Sequence, residues 1–84
     1  MQNYSIEIKQ IGTNSFIYSD CNSITILNQG TNDIIIDQVI TLSFGQSFVI
    51  EGNESEICRH RFYIAFDTGA GTNACAIIRK LYID

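Results

Sequence analysis

The residues of this 84-residue chain whose types could do chemistry are one histidine, three cysteines and the tripeptide Asp67-Thr68-Gly69. His60 is the only side chain that ordinarily titrates near neutrality. As a general base it would need a nucleophile held against it, and no GxSxG elbow, HExxH pair or papain-like cysteine context accompanies it. It therefore reads as a core histidine satisfied by hydrogen bonds. Asp67-Thr68-Gly69 is the tripeptide of aspartic proteases, whose chemistry needs two carboxylates sharing one proton. The chain carries a single copy, so the segment reads as a turn. Cys21, Cys58 and Cys75 stand 37 and 17 residues apart, with no CxxC pair. A zinc site wants four ligands, and three dispersed cysteines with His60 do not make one; free buried thiols, no metal and no cofactor are expected. Gly69-Ala70-Gly71-Thr72 lacks the Lys and following helix of a phosphate loop. Asp33, Asp37, Glu51, Glu54 and Glu56 lack the spacing of a calcium loop and read as solvated turn carboxylates.

The elements that must position these residues are strands. Proline is absent, 16 residues are Ile, and Gly, Asn, Ser and Asp cluster every eight to twelve positions, as turns between short strands do. The expected strands are 3–9, 15–18, 23–28, 33–37, 39–44, 47–51, 56–66 and 74–83, with no helix. That is an all-β chain, a single antiparallel β-sandwich, Ig-like or jelly-roll-like, of seven to eight short strands over residues 1–84. Tyr4, Ile6 and Ile8 alternate with Ser5, Glu7 and Lys9, the pattern of a strand with one face on the core. Ser23 to Asn28 and Asp33 to Asp37 read as a hairpin, with Gly30 and Asn32 supplying positive φ in its turn. Phe44-Gly45-Gln46 is a second tight connection. In the longest expected strand Cys58, His60, Phe62, Ile64 and Phe66 share the core face, and Ile57, Arg59, Arg61, Tyr63 and Ala65 share the other. Asp67 to Asn73 is a flexible small-residue loop. The last strand is apolar on both faces, which calls for cover on both sides, by the sandwich itself or by a neighbouring molecule.

Composition narrows the function classes. With 45% hydrophobic and 17% charged residues the chain folds rather than staying disordered. Nine acidic residues against five basic ones, a net charge of −4, argue against a protein that tracks nucleic-acid phosphates. No apolar run approaches the ~18 residues of a membrane-spanning helix, and the first residues lack the basic and apolar regions of a secretory signal. Four of the five basic residues, Arg59, Arg61, Arg79 and Lys80, fall on the last two strands. If these pair as a hairpin, Arg59, Arg61 and Tyr63 form an outward patch with Arg79 or Lys80, and Arg and Tyr are enriched at interface hot spots.

The run Ile24-Thr-Ile-Leu-Asn-Gln-Gly30-Thr-Asn-Asp-Ile-Ile-Ile-Asp37, then Ile40-Thr-Leu-Ser-Phe-Gly-Gln-Ser-Phe48 and Glu51-Gly-Asn-Glu54, resembles the small β-sandwich accessory proteins of tailed-phage virions, including auxiliary capsid proteins of the crAss-like group. The resemblance covers about two thirds of the chain as a style of strand and turn, not as a catalytic signature. It implies a non-enzymatic decoration subunit, located in a virion assembled in the host cytoplasm. Such a subunit docks on the major capsid or another virion protein through Arg59, Arg61, Tyr63, Arg79 and Lys80, with homo-oligomerisation open. The alternative is a small module binding glycans or a host surface, with the Asp67 to Asn73 loop as its tip.

Overall fold

Alternating β-branched and polar residues between turn-forming clusters produce eight strands and, among the described residues, no helix. The computed structural model describes residues 3–53 and 55–83; Glu54, one of the expected turn carboxylates, lies outside them. The strands are β1 (Asn3–Ile11), β2 (Ser15–Tyr18), β3 (Ser23–Asn28), β4 (Ile34–Ile36), β5 (Ile40–Leu42), β6 (Ser47–Ile50), β7 (Arg61–Phe66) and β8 (Cys75–Ile83). They form two four-stranded antiparallel sheets, β1-β8-β3-β6 and β2-β7-β4-β5.

The order has a simple logic. β1 pairs with β8, β2 with β7, β3 with β6 and β4 with β5. The chain is thus one long hairpin ribbon wound so that successive stretches fall alternately in the two sheets, which is the jelly-roll arrangement. The ribbon's tip is the β4–β5 turn. There Asp37 and Gln38 take left-handed φ values of 52° and 61°, and the Val39 amide donates to the Ile36 carbonyl at 3.0 Å. Two consecutive positive φ values give a tight turn whose twist suits the flanking strands, and Val39 completes the three-residue connection between Ile36 and Ile40, which are paired. Asp tolerates that region readily and Gln less so.

Winding corrects three expectations. β3 and β4 do not form a hairpin, because they belong to different sheets, and Gly30 has no positive φ. Its small size serves a close approach instead: a Cβ there would meet the backbone at Thr72 and Ala74. The Phe44-Gly45-Gln46 connection likewise crosses between sheets, with Gly45 at φ 81°. β7 and β8 do not pair with each other.

The core lies between the sheets. Ile24, Ile26, Cys75 and Ile77 of one meet Ile17, Ile34, Ile36, Leu42, Phe62, Ile64 and Phe66 of the other, with Cys21 buried at the crossing between β2 and β3. Buried amides fasten the ends. Asn28 donates to the carbonyls of Asn32 and Leu42, both at 2.9 Å, and accepts from the Gly30 amide. Asn32 donates to Asn73 Oδ1 and the Gly69 carbonyl and accepts from the Gly71 amide, while Thr31 and Thr72 exchange side-chain and backbone bonds. The Asp67 to Asn73 loop, expected to be flexible, is therefore tied down along its length. Asp67 accepts from the Thr68 amide as an ordinary turn carboxylate.

Candidate functional site

Ser19, Cys21 and Asn22 hold the segment that leads into β7 where the ribbon bends. The Ser19 hydroxyl donates to the Cys58 carbonyl at 2.8 Å and accepts from the His60 amide at 2.8 Å. The Asn22 amide group donates to the carbonyls of Asn53 and Glu56. These side chains take up hydrogen bonds that a continuous strand would have used, so β7 begins at Arg61 and not at Glu56. His60 consequently leaves the core. Its ring lies exposed against Phe62, with Nε2 2.8 Å from Asp37 Oδ2. Cys58, also expected in the core, is half-buried.

The five expected interface residues do not form one patch. Arg61 and Tyr63 face outward from the β2-β7-β4-β5 sheet. The Arg61 guanidinium lies 4.6 Å from the Phe16 ring centroid, and the Tyr63 ring is 4.9 Å from Phe16. With Asp37 and Gln38 they line a shallow basin of about 540 Å³. The Asp37 carboxylate there accepts the Tyr63 amide at 2.8 Å and bonds His60, and these two contacts hold its pKa below the usual carboxylate value. Arg59 is exposed on the approach to β7, outside the basin. Arg79 points the other way, between the sheets, where it donates to the carbonyls of Tyr18 and Ser19 and pairs with Glu7. It closes that end of the sandwich and is withdrawn from any outward patch.

Lys80 belongs to a third surface. Its ammonium sits 4.6 Å from the Tyr4 ring centroid and 4.8 Å from that of Tyr82, on the outer face of β1-β8-β3-β6. Tyr82 foremost raises its affinity for the proton. Around it on the same face lie Tyr4, Ile6, Ile8 and Val49, all exposed, with Ile78 half-buried beside them. β1 thus inverts its expected orientation: the apolar row looks out, and the inward row is Ser5, Glu7 and Lys9 until Ile11 reaches the core. The reason is positional. β1 is an edge strand paired only with β8, and Glu7 is claimed by Arg79 from the inner side.

Sequence reasoning placed β8 correctly as apolar on both faces and missed that β1 extends its outer face. No local signal marked it, because an apolar row alternating with Ser5, Glu7 and Lys9 reads the same whether it faces a core or a partner. Phe16 was missed too, although it alternates with Ile17, which is buried. Among the described residues no three His, Cys, Asp or Glu side chains gather as metal ligands, and no helix is long and apolar enough to cross a membrane. The chain matches no family model, no curated protein and no solved structure.

Proposed function

We propose that this protein is a non-enzymatic docking subunit that binds a larger protein assembly through the outer face of β1-β8-β3-β6, and that the assembly is a phage virion. The observation that carries the reading is the apolar face itself. Tyr4 is 53% exposed, Ile6 56% and Ile8 71%, on a sheet whose opposite side already covers the core. Contiguous exposed apolar surface of this kind marks interaction sites. The cation in its middle, Lys80 between two tyrosines, sets the partner's chemistry: an apolar surface with one carboxylate opposite. Jelly-roll domains are frequent in viral capsids, which is an argument from fold alone. Repetition around a shell would raise a modest affinity by avidity.

The test is occupancy on purified particles, measured by quantitative mass spectrometry. Ile6→Ser, Ile8→Ser and Lys80→Glu should each lower occupancy at least tenfold in a protein that still folds, whereas Arg59→Ala should not. Absence of the chain from washed particles, or full occupancy by the Ile6→Ser/Ile8→Ser variant, would overturn the reading.

The basin supports a second reading, glycan binding. Phe16 and Tyr63 offer ring faces to a sugar, and Arg61 and Gln38 offer donors beside them. This moves the candidate from the tied-down Asp67 to Asn73 loop to the outer face of β2-β7-β4-β5. Glycan-array binding abolished by Tyr63→Ala would favour it over docking.

A further inference from the structure

The outer edge of β1 is the longest unpaired strand edge among the described residues. β1 runs nine residues, against four for β2, four for β6 and three for β5 at the other edges. It pairs residue for residue with β8 from Asn3 to Ile11, with no bulge. It contains no proline, and Lys9 is its only cation. Such an edge offers a row of free amides and carbonyls to another strand, and proteins ordinarily blunt edges of this kind.

From this edge we infer that two copies of the chain join through antiparallel β1–β1 pairing about a two-fold axis at Ile8. The register follows from side-chain chemistry. Opposed residues in an antiparallel pair lie on one face, so a symmetric pairing must centre on a residue to keep the apolar row continuous. Centring on Glu7 sets it against its own copy, and centring on Lys9 does the same for Lys9. Centring on Ile6 leaves Glu7 opposite Ser5. Centring on Ile8 opposes Glu7 of each copy to Lys9 of the other, with Ile8 meeting its own copy. Opposite charges face each other twice, on the inner row where Glu7 is half exposed. The two sheets become one of eight strands, and the outer apolar face doubles in width. The dimer does not depend on the docking reading, but it would present that face twice to a partner.

Charge exchange tests it. Light scattering on the folded protein should give twice the 9.4 kDa chain mass, and Lys9→Glu or Glu7→Lys alone should raise the dissociation constant about tenfold, since each opposes like charges twice. Mixing the two variants should restore association as a heterodimer, because the all-acidic inner row of one then faces the all-basic inner row of the other at both positions. Val49→Lys, across the sheet on β6, should leave the dimer intact. A folded monomer persisting to about 1 mM overturns the proposal. So does a dimer that Val49→Lys abolishes while Lys9→Glu does not, which would be face-to-face packing. Circular dichroism on each variant separates lost association from lost fold.

A different observation carries a second inference. Pairs along β2 and β7 keep one register, Ser15 opposite Ile64 through Tyr18 opposite Arg61, and that register continues beyond the strands to Cys21 opposite Cys58. The two cysteines exchange backbone bonds, Cys58 amide to Cys21 carbonyl at 2.8 Å and the reverse at 3.3 Å. Residues so paired have Cα atoms ~5.5 Å apart, within the span of a disulfide. The geometry points to Cys21 and Cys58 as a reversible cross-link at the bend of the ribbon. A disulfide such as oxidised glutathione is the oxidant: the half-buried Cys58 thiolate attacks it and releases one glutathione thiolate. Cys21, deprotonated, then displaces the second, so two thiols are oxidised and one disulfide is reduced. Treating the folded protein with oxidised glutathione should remove the mass of two hydrogens, leave Cys75 as the one free thiol and raise Tm by more than about 4 °C. Three unreacted thiols, or a lasting glutathione adduct on Cys58, would overturn it.

Discussion

Asp37 accepts from the Tyr63 amide and from His60, and both contacts exist only because the ribbon's tip folds back beside β7. Its folded pKa lies below the unfolded value, so the folded state holds fewer protons than the unfolded state. The stability it contributes is complete above the ordinary carboxylate pKa, about 4, and is lost as pH falls through the lower folded value. Urea midpoints should therefore drop below about pH 4, and Asp37→Asn, which keeps an acceptor for Tyr63, should flatten that part of the profile. Gly30→Ala should destabilise by about 1–3 kcal/mol, as overpacking does, because its Cβ meets backbone at Thr72 and Ala74 that cannot move aside; urea denaturation measures it. His60 shows why single residues mislead. The alternation from Phe66 back to Cys58 is unbroken in the sequence, and it is the Ser19 hydroxyl, 41 positions away, that ends the strand before His60.

At the scale of elements, buried asparagines do what turn residues alone could not. Asn28 is 1% exposed and satisfies two carbonyls and one amide from two segments, the β3–β4 connection and β5. Asn28→Ala should cost about 2–4 kcal/mol by chemical denaturation, since it strands those groups away from water. β1 behaves oppositely. Ile6→Ser or Ile8→Ser should change stability by no more than about 0.5 kcal/mol, because both side chains are exposed, while weakening any docking. A core-facing Ile would lose far more on truncation. Strand positions were legible here because turn residues bracket each run and the period of two survives in several strands, although β4 is three consecutive isoleucines and β8 is apolar on both faces. Orientation was not legible for β1, where an apolar row alternating with Ser, Glu and Lys looks the same whether it faces a core or a partner.

For the whole molecule, nested pairing means that the first strand waits for the last. β1 pairs only with β8, and β2 with β7, so nearly every ladder closes a long loop. Refolding should fall in the millisecond-to-second range of all-β topologies and not in the microsecond range of helical ones, as stopped-flow fluorescence of the tyrosines would show. The all-β class, the sandwich, the eight strands and the two-faced character of β8 are written locally, in side-chain alternation and turn residues, and the sequence alone determined them. Which strands pair, which row of β1 turns toward the other sheet, and that Arg79 points between the sheets while Lys80 faces out depend on contacts between distant segments. Only the tertiary structure decided these, because adjacent residues of a strand point to opposite faces and nothing local states which face another sheet will cover.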